Sequence, residues 1–173
     1  MVERDGPGQV ILGALAPHPP LLIPEVGGDM LLEVENTRRA MEKLALAVKE
    51  VDPDVVVVIS PHGPLLPNAI GIWAIGTLRG DFAQFRAPDV ALTVENDLEL
   101  FSALLDEGQA LSYPLRGVDQ NMLHRYGYPP ELDYATLIPL YYLEKAGVKK
   151  PVLPMGMGFL KPRELYQFGI VLR

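Results

Sequence analysis

Short, almost uninterrupted apolar runs indicate the strands of this chain. Residues 54–60 include four consecutive valines and an isoleucine, and β-branched residues in series favour a strand over a helix. Residues 10–16 form a similar run that ends at Pro17, and we expect a strand buried on both faces, as in parallel sheets. Further strands are predicted over residues 70–75, 90–94 and 152–155.

Apolar residues at helical spacing lie between these runs. Over residues 31–51 they alternate with Glu and Lys in a stripe, and Pro53 ends the pattern. Asn96 or Asp97 is suited to cap a helix that continues to about residue 107. The remaining helices are predicted over residues 136–146 and 162–172.

Strands that alternate with helices predict an α/β fold, a three-layer sandwich with a mostly parallel central sheet. The length of 173 residues fits one domain, and no repeat or low-complexity tract divides it. We therefore expect residues 1–173 to form a single domain. Trp73 and the pair Tyr141 and Tyr142 are expected to pack in its core or between helix and sheet, without a catalytic role.

Composition narrows the possible functions. Fifteen Lys and Arg against 22 Asp and Glu give a net charge of −7, which argues against general binding to nucleic acid or to an anionic membrane. The absence of cysteine excludes disulfides, thiolate zinc sites and a cysteine nucleophile. Residues 1–8 are polar and no apolar run approaches the roughly 18 residues of a membrane span, so we expect a cytoplasmic protein.

Two of the three histidines occupy equivalent positions. His18 follows the predicted strand at residues 10–16, His62 follows the strand at residues 54–60, and prolines flank both. In an open parallel sheet, ligands bind outside the carboxyl ends of the strands. If the two strands are neighbours, both imidazoles face one crevice and form half of a metal site. Each could instead be a loop histidine bonded to a backbone carbonyl, but the repeated pattern favours function.

The segments around these histidines, residues 13–27 and 58–64, resemble the two histidine motifs of class III extradiol ring-cleavage dioxygenases. The catalytic subunit of protocatechuate 4,5-dioxygenase belongs to this family. The chain is most similar to the B-type domain associated with AmmeMemoRadiSam proteins, a branch related to the cell-motility mediator Memo. Residues 80–82, 87–88 and 159–169 also fit that branch, so the resemblance covers nearly the whole chain.

The resemblance implies a non-haem Fe(II) enzyme of aromatic compound metabolism that acts on an aromatic diol or a related small molecule. In such enzymes two histidines and one carboxylate hold the iron and leave positions open for the diol and O₂. His18 and His62 match the two histidine ligands. The family's acid–base histidine falls in residues 131–140, where this chain has Tyr134. A phenol with an ordinary pKa of about 10 can donate a proton near pH 7 but is a poor base.

The carboxylate ligand has no match in this sequence. In the family it lies beyond the helix in which residue 173 falls, so the resemblance implies a domain truncated at its C-terminus and lacking the third ligand. Asp133 and Glu25 are candidate substitutes, and His124 is a candidate substitute base. Each also has a simpler interpretation, as a helix cap, a solvated loop residue and a surface histidine respectively.

Three interpretations of the chain therefore stay open. The chain is an iron-dependent dioxygenase, a non-catalytic Memo-like binding or interaction protein, or a fragment of a longer chain. A fragment would expose an apolar face on its last helix, which self-association could cover. A partner chain could also donate the absent carboxylate. No cofactor other than Fe(II) is expected.

Overall fold

The computed structural model describes residues 8–172. Its strands are β1 (Val56–Ser60), β2 (Ile70–Trp73), β3 (Thr77–Phe82), β4 (Ala87–Glu95), β5 (Leu115–Val118) and β6 (Val152–Gly156). Its α-helices are α1 (Pro24–Gly27), α2 (Glu35–Val51), α3 (Leu98–Ala110), α4 (Gln120–Tyr126), α5 (Tyr134–Lys145) and α6 (Pro162–Leu172). Short 3₁₀ helices cover Pro20–Leu22, Gly28–Val34 and Ala83–Phe85.

Four strands form the central sheet in the order β1-β6-β2-β5. The outer pairs β1–β6 and β2–β5 are parallel, and β2 and β6 join them in antiparallel orientation. β3 and β4 form a separate antiparallel hairpin. The central sheet is therefore mostly parallel.

Alternating side chains give the sheet two buried faces. Ile70 and Ile72 of β2 pack with Leu153 of β6 in a cluster that includes Phe168 of α6. Trp73, the residue after Ile72 in β2, belongs to a second cluster. This cluster includes residues of α2, α5 and the β3–β4 hairpin. Because side chains in a strand alternate with period two, one sheet serves both clusters. The predicted three-layer α/β sandwich is confirmed.

Helix α5 is the central helix of the second cluster. Eight of its twelve residues are buried, which is typical of a helix enclosed by protein on most sides. Asp133 caps its first turn by accepting hydrogen bonds from the backbone amides of Ala135 and Thr136. This cap fixes where α5 begins, and with it the position of Tyr134.

Most of the predicted elements are present, with shifted ends. The strands predicted from residues 54, 70, 90 and 152 correspond to β1, β2, β4 and β6, and the predicted helices correspond to α2, α3, α5 and α6. Asp97 is the cap of α3 and accepts a hydrogen bond from the Leu100 amide at 2.8 Å. The sequence analysis missed β3, β5 and the short helices α1 and α4.

The strand predicted at residues 10–16 is wrong. This segment pairs with no strand in the described structure, and the side chains of Val10, Ile11, Leu12 and Leu15 are 41–97% exposed. An apolar run favours burial, but a strand also requires a partner for its backbone hydrogen bonds. In this fold β1 pairs with β6 and not with residues 10–16.

No helix between residues 8 and 172 is long and apolar enough to cross a membrane.

Candidate functional site

The two histidines meet although only one of them follows a strand. The Nε2 atoms of His18 and His62 are 3.2 Å apart. The ring centroids are 5.1 Å apart and the rings meet edge to face at 76°. The structure therefore brings together the two side chains that the sequence analysis selected as metal ligands.

The loop that carries His18 is held by the residues that follow it. Leu22 and Ile23 are fully buried in the core. The Tyr142 hydroxyl donates a hydrogen bond of 2.5 Å to the Leu22 carbonyl, and burial raises the pKa of Tyr142 to about 12. Because a neutral hydroxyl remains a donor across the physiological pH range, this contact fixes the His18 loop against α5.

His62 is held by a chain of hydrogen bonds from the end of β1 to the start of α5. The His62 amide donates to Ser60 Oγ at 3.1 Å, and Ser60 Oγ donates to Asp133 Oδ1 at 2.7 Å. Asp133 Oδ1 also accepts from the amides of Ala135 and Thr136, while its Oδ2 accepts from Thr136 Oγ1 at 2.8 Å. Asp133 is thus the helix cap that one interpretation of the sequence predicted, and it positions the His62 loop as well.

Tyr134, the first residue of α5, is the third side chain of the site. Its hydroxyl is 3.0 Å from His62 Nε2, and its ring lies 4.8 Å from the His62 ring, centroid to centroid. The Phe85 ring packs nearly perpendicular to the Tyr134 ring, at 83°, with the ring centroids 5.2 Å apart. The hydroxyl therefore points into the space beside the two imidazoles.

The distance between the imidazoles suits one metal ion. Two Nε2–H groups cannot point at each other at 3.2 Å, so at least one ring presents an Nε2 lone pair to the other. Metal–imidazole bonds are about 2.1 Å long, and two of them at a right angle on one ion place the nitrogens about 3 Å apart. His18 and His62 thus fit neighbouring positions on a divalent ion such as iron, for which imidazole is a suitable ligand.

A third ligand does not accompany them within residues 8–172. No group of three or more His, Cys, Asp or Glu side chains in this part of the chain could hold a metal. The oxygens of Asp133 already accept the four hydrogen bonds described above. Glu25 lies on α1, where it lines a cavity with Asp89 and Tyr141. His124 lies on α4, exposed to solvent, and takes part in none of the contacts that join His18, His62 and Tyr134.

Sequence reasoning missed the residues that support the site. Ser60 is 1% exposed and is a polar residue directly before the Pro61–His62 pair, which is a signal that could have been noticed. The Tyr128 hydroxyl accepts a hydrogen bond from the Leu65 amide at 3.2 Å and so holds the far end of the His62 loop. The packing of Phe85 on Tyr134 depends on tertiary structure and has no local signal.

Comparison with known proteins identifies two relatives and a family for this chain. Protein CA_C1420 of Clostridium acetobutylicum is 28% identical over 156 residues, covering 90% of this chain and 33% of the relative. The 2-aminophenol 1,6-dioxygenase beta subunit of a Pseudomonas species is 28% identical over 149 residues, covering 79% of this chain and 45% of the relative. The chain thus spans a third to under a half of the curated relatives it matches. Residues 12–173 match the family described as the catalytic LigB subunit of aromatic ring-opening dioxygenase, and the chain belongs to that family.

Proposed function

We propose that this chain contributes the two-histidine part of an Fe(II) site in an aromatic ring-opening dioxygenase acting on an aromatic diol or a related small molecule. The observation that carries the proposal is the 3.2 Å distance between His18 Nε2 and His62 Nε2, with the Tyr134 hydroxyl beside them. Membership of the ring-opening dioxygenase family supports the choice of reaction.

The protein's own groups have separable tasks in this proposal. His18 and His62 would hold the ion through Nε2, and Ser60 and Asp133 keep the His62 loop in place. Such an ion, when bound, lowers the pKa of a coordinated hydroxyl and brings the diol and O₂ together. The Tyr134 hydroxyl is placed to donate a hydrogen bond to a substrate oxygen next to His62 Nε2. A phenol hydroxyl is a good hydrogen-bond donor, so the role proposed for Tyr134 is that of a donor rather than of a base.

The third ligand, in this proposal, comes from outside residues 8–172. The Pseudomonas relative is named as a beta subunit, which supports a partner chain as one source of the missing carboxylate. Two imidazoles alone should hold Fe(II) weakly, and a carboxylate should tighten the site considerably.

Anaerobic calorimetry with Fe(II) tests the metal site. We expect His18→Ala and His62→Ala each to weaken Fe(II) binding at least about tenfold, since each removes one of the two ligands available. The double variant should show no saturable binding. His124→Ala is the matched control, because His124 is an exposed histidine outside the site, and it should bind Fe(II) like the unmodified chain.

Binding that survives in the double variant, or that falls equally in His124→Ala, would contradict the proposal. Circular dichroism spectra of all the variants should coincide, since His62 is exposed and His18 is only partly buried.

Tyr134→Phe separates substrate recognition from metal binding. We expect Fe(II) affinity to stay within about twofold, because the hydroxyl is not one of the two proposed ligands. Binding of 4-nitrocatechol to the Fe(II)-loaded protein should weaken about three- to tenfold, the effect of one lost hydrogen bond. The bound catechol's visible absorption gives the measurement. An unchanged affinity for 4-nitrocatechol would show that the Tyr134 hydroxyl does not bind the substrate.

The second candidate function is that of a non-catalytic binding or interaction protein. It is favoured by the absence of a metal-holding group of three side chains within residues 8–172 and by Tyr134 at the family's histidine position. If Fe(II) titration shows only weak, histidine-independent binding, this candidate replaces the first.

A further inference from the structure

Tyr134 places an oxygen atom beside the two imidazoles at the spacing of a further metal ligand. His62 Nε2 lies 3.2 Å from His18 Nε2 and 3.0 Å from Tyr134 Oη. Two metal–ligand bonds of about 2.1 Å that meet at a right angle place their donor atoms about 3 Å apart. Both distances from His62 Nε2 are therefore those between neighbouring ligands on one ion.

The three rings lie around one point rather than in a row. The ring centroids are 5.1 Å apart for His18 and His62, 4.8 Å apart for His62 and Tyr134, and 6.1 Å apart for His18 and Tyr134. Rings in a row with His62 in the middle would put the outer two about 10 Å apart. Each ring thus neighbours both of the others, and Tyr134 is fixed in this triangle by the capped start of α5.

A tyrosine oxygen responds to the oxidation state of iron. Tyrosine binds iron as a phenolate, as in some haem proteins, and anionic oxygen is the ligand type that suits a hard cation. Within residues 8–172 no third His, Cys, Asp or Glu side chain joins the two histidines as a metal-binding group. A phenolate beside Fe(III) carries the same net charge as a phenol beside Fe(II), so loss of the phenol proton offsets the extra charge of the ferric ion.

We propose that Fe(III) binds at this site through His18 Nε2, His62 Nε2 and Tyr134 Oη, the last as a phenolate. On binding, the O–H bond of Tyr134 breaks, an Fe–O bond forms and the proton passes to solvent, while the oxidation state of the iron does not change. This ferric form rests on the histidine pair of the proposed function and regulates the same site. While Fe(III) is bound, the Tyr134 hydroxyl is no longer a donor for a substrate oxygen.

Visible absorption tests this set of ligands. A phenolate bound to Fe(III) produces a charge-transfer band in the visible region, whereas imidazole ligands and Fe(III) nitrilotriacetate alone do not. Titration of the full chain with Fe(III) nitrilotriacetate should produce the band and saturate at one iron per chain. The band should be lost in Tyr134→Phe, and it should also be lost when His18 and His62 are both replaced with alanine.

Tyr134→Phe removes the oxygen and keeps the ring that packs on Phe85, so its circular dichroism spectrum should match that of the unmodified chain. We expect Fe(III) affinity to fall about tenfold or more, because an anionic ligand is lost. Tyr166→Phe is the matched control, since Tyr166 is 80% exposed and lies on α6. Absence of the band, a band that persists in Tyr134→Phe, or an equal loss of Fe(III) affinity in Tyr166→Phe would overturn the proposal.

Fe(II) calorimetry distinguishes failure of this inference from failure of the proposed function. If Fe(II) binds through both histidines but Fe(III) gives no phenolate band, only the ferric ligand set is wrong. If Fe(II) binding does not depend on the histidines, the proposed function fails, and a ferric band that requires all three side chains would still support the Fe(III) site. A band that requires Tyr134 but neither histidine would contradict the three-ligand site.

Discussion

Replacing Asp133 with alanine is expected to lower the free energy of unfolding by about 2–4 kcal/mol. Loss of a helix cap costs about 0.5–2 kcal/mol, and each buried polar group left unsatisfied costs about 1–3 kcal/mol. Asp133 caps α5, and it also accepts from the hydroxyls of Ser60 and Thr136, both only 1% exposed. Water cannot easily replace the carboxylate at these two hydroxyls. The cost of the lost cap and the cost of the unsatisfied hydroxyls therefore both apply.

Urea unfolding measures this change, and Asp119→Ala is the matched control. Asp119 caps α4 through one hydrogen bond of 2.8 Å to the Met122 amide at an exposed position, so its loss should cost only about 0.5–1 kcal/mol. Asp133→Asn retains acceptor oxygen and should recover part of the stability. Equal costs for the two alanine variants would show that Asp133 acts only as a cap, without joining β1 to α5.

Gly156→Ala should be the second strongly disruptive substitution. A Cβ at this position would lie 2.1 Å from the Pro64 carbonyl oxygen, and backbone cannot rotate away as a side chain can. Overpacking of this kind typically costs about 1–3 kcal/mol, and we expect the upper end of that range. Because Pro64 lies two residues after His62, Fe(II) affinity should also fall about tenfold or more.

Gly169→Ala provides the comparison for this variant. Nothing lies within 4 Å of a Cβ built at Gly169, and the residue is inside α6. Alanine should therefore leave stability unchanged or raise it by up to about 1 kcal/mol, since glycine is unfavourable within a helix. If Gly156→Ala behaves like Gly169→Ala in both unfolding and Fe(II) titration, then β6 does not constrain the His62 loop.

Sequence patterns could predict the histidine pair because the signal is repeated. His18 and His62 each follow an apolar run and stand between prolines. The argument for their meeting assumed two neighbouring strands, and one of these is absent. The pair forms nonetheless, because the buried Leu22 and Ile23 hold the His18 loop in place of a strand.

The two missed strands contain glycine at positions where a pattern of β-branched residues would be expected. Gly80 of β3 and Gly117 of β5 weaken the local strand signal. Both are required by tertiary contacts: a Cβ at Gly80 would lie 2.7 Å from the Leu132 carbonyl oxygen, and one at Gly117 would lie 2.8 Å from the Phe101 ring. Such requirements exist only once the chain is folded.

The hydrogen bonds that support the histidine site also arise only in the folded chain. Ser60 and Asp133 are 73 residues apart along the chain, and no local pattern pairs two such distant side chains. Tyr141 was expected to pack in the core, and it does.

The pairing of β1 with β6 has a consequence for the order of folding. Val56 is paired with Val152 and Ser60 with Gly156, so the strand that leads to His62 acquires its neighbour only after residues 152–156 have been synthesised. Contacts between such distant segments form slowly, because a long loop must close first. A nascent chain therefore carries both histidines well before β1 can pair with β6, the contact that places the strand leading to His62.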